Sequence, residues 1–396
     1  MKRTLFALAV AALLPWSWAQ TLTPEAALER FFTAPEVDPA WFAQSFLEQV
    51  PAEQIAPIIA QLTADLGAYR SVEGDAGEYT VLFENGALPA RIILNAEGRI
   101  TGLQFLAPIP AVADLEAALA GFEALPGEVS VLVLEGGEER AAMAPDAPLA
   151  VGSSFKLAVL AALQERVEAG ERAWDEVVTL EAAWKSLPSG LLQDWPEGSA
   201  LTLETLATLM ISVSDNTATD ALMHTLGREA VEAQLGERNR PLLTTREAFV
   251  LKTPAHADLL ARYREGDEAA RRRVLEEAAA RDLPDPLSFP TEPTALDVEW
   301  FVSARELCAL IAEVSELPLM SVNPGVADPD RWTRVAFKGG SEPGVMNLTT
   351  YLEGDASTYC VSVTQNREDA PLEEARLLGL YGGLLAALGE GAQEGR

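Results

Sequence analysis

Lysine occurs at five positions in this chain, and one of them follows a serine by about one helical turn. Lys156 closes the run Ser153-Ser154-Phe155-Lys156 at the head of an apolar segment. A helix that begins there places Ser153 and Lys156 on one face, and burial would make the amine easier to deprotonate. Ser153 is therefore a candidate nucleophile and Lys156 its candidate activating base in acyl transfer. The alternative is that Ser153 or Ser154 caps the helix.

A further hydroxyl group lies in Ser214-Asp215-Asn216, between helical runs over 203–211 and 218–226. The Ser214 hydroxyl could relay a proton to a leaving group, and the Asn216 amide could hold a substrate carbonyl. The alternative is that Asn216 or Thr217 caps the second helix, with Asp220 completing a capping box. The two interpretations are compatible.

Another lysine opens Lys338-Gly339-Gly340-Ser341, directly after a strand-like stretch. Two glycines allow the backbone of a ligand to approach and pair along the strand edge, so Gly340 and Ser341 are candidate substrate-binding residues. Lys338 would supply positive charge beside them. The alternative is a glycine turn with a surface lysine.

The chain carries 29 basic and 60 acidic side chains, a net charge of −31. Nucleic-acid binding needs a basic surface, so the composition argues against that function class. An anionic substrate would need a local patch of positive potential. The histidines are His224 and His256, and the two cysteines lack metal-type spacing, so we expect no metal site and no cofactor. We expect a small-molecule substrate and a monomer.

Residues 1–19 have the pattern of a secretory signal. Lys2 and Arg3 form the charged start, an apolar run covers 5–14, and Trp18-Ala19 precedes a cleavage point. Cleavage would give a secreted or periplasmic protein without a membrane span. An uncleaved anchor is the alternative.

Residues 20–110 are predicted to form a small α+β domain. Apolar spacing predicts helices, and alternating stretches divided by Asn85-Gly86 and Glu97-Gly98 predict an antiparallel meander. The predicted helices cover 26–32, 41–47 and 55–66, and the predicted strands cover 78–84, 90–94 and 99–106. This order suggests a curved sheet packed on a helix. Pro108-Ile109-Pro110 is a candidate stiff linker at its end.

Residues 111–396 are predicted to form a second α+β domain. The predicted elements are a helix over 115–124, a hairpin over 128–134 and 141–144, a helical section from about 153 to 314, strands over 333–337, 345–352 and 358–364, and a helix over 373–388. Strands at both ends imply one sheet assembled from distant segments, with a helical lobe alongside and a ligand cleft between them.

The two cysteines, Cys308 and Cys360, fall in a helix-like and a strand-like apolar run. Export would permit a disulfide between them. Two buried free thiols are an equal alternative.

Together, the three motifs resemble those of class A serine β-lactamases and penicillin-binding proteins, Ser-x-x-Lys, Ser-Asp-Asn and Lys-Thr/Ser-Gly. The resemblance covers roughly residues 112–392. It implies an antiparallel sheet from both chain ends beside a helical lobe. The two-domain layout is also similar to exported proteins that place a steroid-isomerase-like domain, of the NTF2 or cystatin-like shape, before a β-lactamase-like one.

The resemblance also implies a role for each matched residue. Ser153 would be the nucleophile, Lys156 its activator, Ser214 the proton relay and Asn216 a substrate ligand. Lys338 would set the electrostatics, and the backbone amides of Ser153 and Ser341 would form the oxyanion hole.

Two departures from that family matter. Gly339 replaces a hydroxyl residue that helps to bind the substrate carboxylate, and Ser341 is the residue that could compensate. The family's loop glutamate, within Glu-x-x-Leu-Asn, has no clear match, and the nearest candidate is Glu247. The alternative for Glu247 is a surface ion pair with Arg246. Without a base that activates water, an acyl-enzyme forms but clears slowly.

The sequence therefore predicts an exported serine hydrolase that forms an acyl-enzyme on Ser153 with a β-lactam or a related amide or ester. An esterase or a D,D-peptidase-like enzyme of the same fold is one alternative. A β-lactam-binding or sensor protein without turnover is another.

Overall fold

The computed structural model describes residues 22–75, 78–286 and 289–394, which form two compact units divided after Leu106. The division falls shortly before the predicted boundary at residue 110. The predicted signal segment, residues 1–19, lies outside the described residues. Within the described ranges, no helix is both long and apolar enough to cross a bilayer.

The first unit packs helices against an antiparallel meander, as predicted. Its elements are α1 (Pro24–Thr33), α2 (Gln44–Leu47), α3 (Ala52–Leu66), β1 (Tyr69–Asp75), β2 (Glu78–Phe83), β3 (Gly86–Leu94) and β4 (Ile100–Phe105). The strands pair in chain order, and Phe31, Phe42 and Ile92 lie in the core between helices and sheet. The sequence did not predict β1, because Tyr-Arg-Ser-Val-Glu-Gly-Asp lacks a regular apolar alternation. The likeness of this unit to steroid isomerases stays a prediction.

The second unit is also α+β, and its strands come from both ends of the segment as predicted. Its strands are β5 (Ile109–Pro110), β6 (Glu128–Glu135), β7 (Glu138–Met143), β8 (Leu149–Ala150), β9 (Val177–Thr179), β10 (Ala200–Thr202), β11 (Phe301–Val302), β12 (Arg334–Glu342), β13 (Val345–Glu353) and β14 (Thr358–Asn366). The main sheet has the order β12-β13-β14-β6-β7 and is antiparallel throughout. The late strands thus pair with the early hairpin, with β14 lying directly beside β6.

Helices cover both faces of this sheet. The helices of this unit are α4 (Leu115–Glu123), α5 (Lys156–Glu168), α6 (Leu203–Ser212), α7 (Asn216–Leu226), α8 (Arg228–Glu232), α9 (Thr245–Lys252), α10 (Ala257–Glu265), α11 (Glu268–Ala279), α12 (Ala304–Val314) and α13 (Glu374–Glu394). Strand β6 shows how the faces divide: Val131 and Val133 share a core with α4 and α13, whereas Leu132 joins the core of α5 and α12. The period of two along a strand therefore separates two apolar layers.

One expectation for this unit needs correction, and another stays a prediction. The candidate linker Pro108-Ile109-Pro110 includes the short strand β5, which packs against α13, and its role as a linker stays a prediction. The section predicted as helical from 153 to 314 also contains β9, β10 and β11. These strands have two or three residues, too few to show a hydrophobic period.

The alternatives for the cysteines are resolved in favour of a disulfide. Cys308 on α12 and Cys360 on β14 are bonded, with Cα atoms 5.8 Å apart. Both residues are buried. The bond fastens the helical layer directly to the sheet.

Removing this disulfide should lower the stability of the second unit. Because the bond closes a loop across 52 positions, we expect the double variant Cys308→Ala/Cys360→Ala to lose about 2–4 kcal/mol of unfolding free energy. Urea unfolding followed by circular dichroism, with and without reductant, measures the loss. Reductant should shift the midpoint of the wild type and leave the double variant unchanged. Equal midpoints for the oxidised wild type and the double variant would contradict the assignment.

Candidate active site

Ser153 and Lys156 lie where a tight turn becomes a helix. A 3-10 turn over Gly152–Phe155 leads into α5, whose first residue is Lys156. Lys156 is completely buried, whereas Ser153 is partly exposed. Neither Ser153 nor Ser154 caps the helix through its side chain. Solvent therefore reaches the Ser153 side chain, whereas the Lys156 amine is buried.

The buried Lys156 amine contacts the Ser214 loop through three acceptors. Its Nζ donates to the Ser214 carbonyl oxygen at 2.7 Å, to the Ser214 Oγ at 3.1 Å and to the Asn216 Oδ1 at 2.6 Å. The second motif is thereby brought to the first across 58 positions of sequence. Ser153 Oγ itself makes no hydrogen bond to any residue in the described ranges.

Lys338 reaches the same hydroxyl from the sheet. It lies on β12, and its Nζ donates to Ser214 Oγ at 3.1 Å and to the carbonyl oxygen of Gly339. A hydroxyl oxygen has two lone pairs, so Ser214 can accept from both lysines and still direct its own proton elsewhere. The predicted convergence of Lys156, Ser214, Asn216 and Lys338 is thus present in the structure.

Burial lowers the pKa of both lysines. Desolvation lowers the pKa of Lys156 well below its usual value, and the nearby charge of Lys338 lowers it further, against smaller opposing effects of Asp220 and Asp215. Desolvation lowers the pKa of Lys338 to about 7. An amine with a lowered pKa can accept a proton near neutral pH.

The Ser214 loop is held by Asp215, which corrects the predicted cap. Asp215, rather than Asn216 or Thr217, caps α7 by accepting from the Ala218 amide at 2.8 Å. Its Oδ2 also accepts from the amides of Leu191 and Leu192 at 2.6 and 2.9 Å. Ser214 itself has a φ of +55°, an uncommon conformation for a side-chain-bearing residue.

Gly190 is needed for this contact with Asp215. It has a φ of +107°, and a Cβ there would lie 2.3 Å from the Asp215 carboxyl carbon. Any larger residue would push the 189–192 segment away from the Ser214 loop.

Gly340 packs closely against the 152–155 turn. A Cβ at this position would lie 2.5 Å from the Ser153 amide nitrogen and 2.1 Å from the Val151 carbonyl oxygen. The 152–155 turn therefore occupies the space that a side chain at this position would need, and the role of Gly340 in substrate binding stays a prediction. Ser341 is exposed, and its amide nitrogen lies 3.1 Å from where a Cβ on Gly152 would be. The 152–155 turn and residues 340–341 of β12 thus approach each other closely through their backbones.

Glu247 lies elsewhere, with both carboxylate oxygens engaged. It is buried and pairs with Arg228 at 2.7 and 3.0 Å, and it completes a capping box with Thr244 at the start of α9. The alternative of a surface ion pair between Glu247 and Arg246 is wrong, because Glu247 is buried and pairs with Arg228 instead. Arg246 donates to the main-chain carbonyls of Lys185, Ala279 and Arg281. No hydrogen bond in the described ranges joins Glu247 to the lysines or to Ser214.

Two acidic groups, the buried Asp220 and the partly buried Glu342, have partners that the sequence did not predict. Asp220, on α7, accepts from the Thr245 amide, the Thr245 hydroxyl and the Arg246 amide, and burial raises its pKa to about 7. Glu342 ends β12 and shares the buried Lys252 amine with Glu299. Lys252 lies outside the three motifs, so the sequence around it gives no sign that it pairs with these two glutamates.

The described residues contain no group of three or more His, Cys, Asp or Glu side chains that could hold a metal ion.

Residues 110–270 match the model of the β-lactamase enzyme family. The predicted resemblance to that superfamily is confirmed over this range, which includes Ser153, Lys156, Ser214 and Asn216. Lys338 lies outside it. No curated protein sequence matches the chain.

Similar solved structures are β-lactamases and a penicillin-binding protein. A β-lactamase from Sphaerobacter thermophilus is 23% identical, with 70% of this chain and 97% of that chain covered and a TM-score of 0.49. The protein PBP-A is 15% identical, with 72% and 99% covered and a TM-score of 0.49. An ancestral class A β-lactamase reconstructed for Gram-negative bacteria is 17% identical, with 69% and 98% covered and a TM-score of 0.47.

Replacing Lys338 by Met should stabilise the protein at acidic pH. The folded pKa of about 7 lies below the ordinary 10.5, so the unfolded chain holds this proton more tightly and the charged lysine destabilises the fold below pH 7. We expect Lys338→Met to gain about 2–3 kcal/mol at pH 6, since lost hydrogen bonds offset part of the desolvation gain. The gain should shrink as the pH rises from 7 to 10.5, because the amine of the folded wild type is neutral in this range and the unfolded chain loses its own proton only near 10.5. Urea unfolding at pH 6 and pH 9 measures the difference, and a gain that grows with pH would refute the assignment.

Proposed function

We propose that this protein is a serine hydrolase that forms an acyl-enzyme on Ser153 with a β-lactam or a related amide, ester or thioester. The observation that carries the proposal is the hydroxyl of Ser214, held 3.1 Å from each of two buried lysine amines. Such a hydroxyl can pass a proton between an activating amine and a departing group. The proposed location is outside the cytoplasm, on the basis of residues 1–19.

The first half-reaction uses the 152–155 turn and the two amines. Ser153 Oγ attacks the substrate carbonyl carbon while the neutral Lys156 amine takes its proton. The amides of Ser153 and Ser341 donate to the oxygen of the tetrahedral intermediate. The carbon–heteroatom bond then breaks, and Ser214 passes its proton to the leaving group while it receives one from Lys156.

The position of Lys338 supports a substrate that carries a carboxylate. The chain has a net charge of −31, so its general field repels anions. A carboxylate bound beside Lys338 would favour the charged form of this amine, and the exposed Ser341 hydroxyl offers a hydrogen bond beside it. Asn216 donates its amide to the Leu187 carbonyl and accepts from Lys156, so its role here is first to position Lys156. A direct contact with substrate is a second role that we propose for it.

Slow release of the acyl group follows from the surroundings of the amines. Hydrolysis of an acyl-enzyme needs a base that activates water. No carboxylate within the described ranges hydrogen-bonds to Lys156, Lys338 or Ser214, and Glu247 is already bound to Arg228. Lys156, which has already returned its proton through Ser214, remains as the base for this step, and no carboxylate of the described residues is positioned to assist it.

A β-lactam-binding protein without turnover is the second candidate function. The observation that favours it is the same engagement of Glu247 by Arg228 and by the α9 cap. Both functions begin with an acyl-Ser153 adduct, and they differ in whether free protein reappears.

Time-resolved intact-mass spectrometry with a panel of penicillins and cephalosporins should show one covalent adduct on the wild type. Ser153→Ala should show none, and Lys156→Met should form it about a thousandfold more slowly, because the activating base is lost. Ser154→Ala is the matched control, since the Ser154 Oγ is buried without a hydrogen-bond partner and its removal should change little. An adduct that persists on Ser153→Ala would reject Ser153 as nucleophile, and recovery of unmodified wild type separates the hydrolase from the binding protein.

The variant Glu247→Gln distinguishes a structural glutamate from a catalytic base. We expect a loss of about 2–4 kcal/mol of unfolding free energy, because Arg228 would lose its buried partner. The rate at which the folded variant clears its acyl group should stay within about threefold of the wild type, since a lost general base would lower it by about a hundredfold or more. Chemical unfolding and the decay of the adduct, both measured on folded protein, report the two effects independently.

A further inference from the structure

Three aliphatic side chains are left exposed around Ser214. Leu191 is 53% exposed, Val213 44% and Val322 59%. They form what we call the apolar rim. Within residues 107–286 and 289–394, the other large apolar side chains with comparable exposure are Val177 and Trp195. In this part of the chain, three of the four large aliphatic side chains that are exposed therefore lie in segments near the candidate site.

Each member of the apolar rim is linked to the Ser214 loop, or lies next to a residue that is. Val213 immediately precedes Ser214 in the chain. The Leu191 amide donates to Asp215 at 2.6 Å. Asn323, the residue after Val322, donates through its side chain to the Ser212 carbonyl at 2.9 Å. The three positions are therefore tied to one four-residue loop, although they come from segments far apart in sequence.

The position of this rim indicates which part of a substrate it meets. In the proposed function, on which this inference rests, Ser214 gives its proton to the leaving group. Groups that surround Ser214 therefore surround the leaving group rather than the acyl carbon chain. Binding of an apolar group to exposed aliphatic side chains is favourable, because it removes apolar surface from water.

We propose that the substrate has an apolar alkyl or aryl group on its leaving-group side, and that Leu191, Val213 and Val322 bind it. Lys338 and the apolar rim together then select a compound that combines an anionic group with an apolar leaving portion. The acyl portion has no such requirement and can be small.

Two series of thioesters separate the sides of the substrate. One series keeps the acetyl group and lengthens the thiol from methyl to butyl to octyl, and the other keeps ethanethiol and lengthens the acyl chain over the same range. Ser153 Oγ adds to the thioester carbonyl, the carbon–sulfur bond breaks, and the thiolate leaves with a proton from Ser214. Water then releases the acid and restores Ser153. Free thiol is measured with a disulfide dye, and Cys308 and Cys360 do not contribute because they are bonded to each other.

We expect kcat/KM to rise about tenfold or more from the methyl to the octyl thioacetate, since each buried methylene adds a favourable increment. The acyl series should rise by less than about threefold. Leu191→Ser, Val213→Ser and Val322→Ser should each lower the ratio of octyl to methyl rates. Val177→Ser is the matched control, because Val177 is 60% exposed on β9 and has no such link to the Ser214 loop. It should leave the ratio unchanged.

The outcomes distinguish this inference from the function on which it rests. Ser153-dependent thioester cleavage that does not depend on thiol length, or that depends more on acyl length, would overturn the apolar rim and leave the hydrolase intact. A ratio lowered equally by Val177→Ser would overturn it as well. Absence of any acyl-Ser153 adduct with thioesters and β-lactams would reject both proposals together.

Discussion

The site depends on holding two buried amines within hydrogen-bonding distance of one partly exposed hydroxyl. Burial disfavours each ammonium, and the charge of each disfavours the other. The Ser214 hydroxyl accepts hydrogen bonds from Lys156 and Lys338. The Ser214 carbonyl oxygen and the Asn216 side-chain oxygen accept further hydrogen bonds from Lys156. These partners hold the amines in place without neutralising them. Their pKa values therefore fall toward the range where an amine can act as a base.

A rigid frame is needed to keep such a cluster together. Lys338 lies on β12, an edge strand of the main sheet, and the 152–155 turn packs on that strand at Gly340. The end of β12 is held by the buried pairing of Glu342 with Lys252. On the opposite side, Asp215 fastens the Ser214 loop to the 189–192 segment through backbone amides. A larger side chain at Gly340 would collide with the 152–155 turn. A neutral side chain at Asp215 or Glu342 would lose the polar contacts that hold these segments.

In the proposed function, the surroundings of the cluster favour acylation over release. A hydrogen bond that can carry a proton joins Lys156 to Ser214, whereas Glu247, the glutamate considered for activating water, pairs with Arg228 and caps α9. The field of the site is also local, because the positive charge of Lys338 is set in a chain of net charge −31. In the proposed function, an anionic compound uses that charge only by entering the site, and Leu191 and Val213 are the side chains that we propose for contact with its apolar part.

The sequence by itself determined what is local. The pair Ser153 and Lys156 one helical turn apart, the strand and helix periods, and the order of the motifs predicted the α+β class and four members of the cluster, because spacing along a helix or strand sets which side chains share a face. It did not determine the disulfide, the cap at Asp215, the neighbour of Gly340 or the partner of Glu247. These depend on which distant segments meet, and only tertiary packing decides that. A glutamate or a glycine has the same local pattern whether it faces a ligand, an arginine or the backbone of another turn.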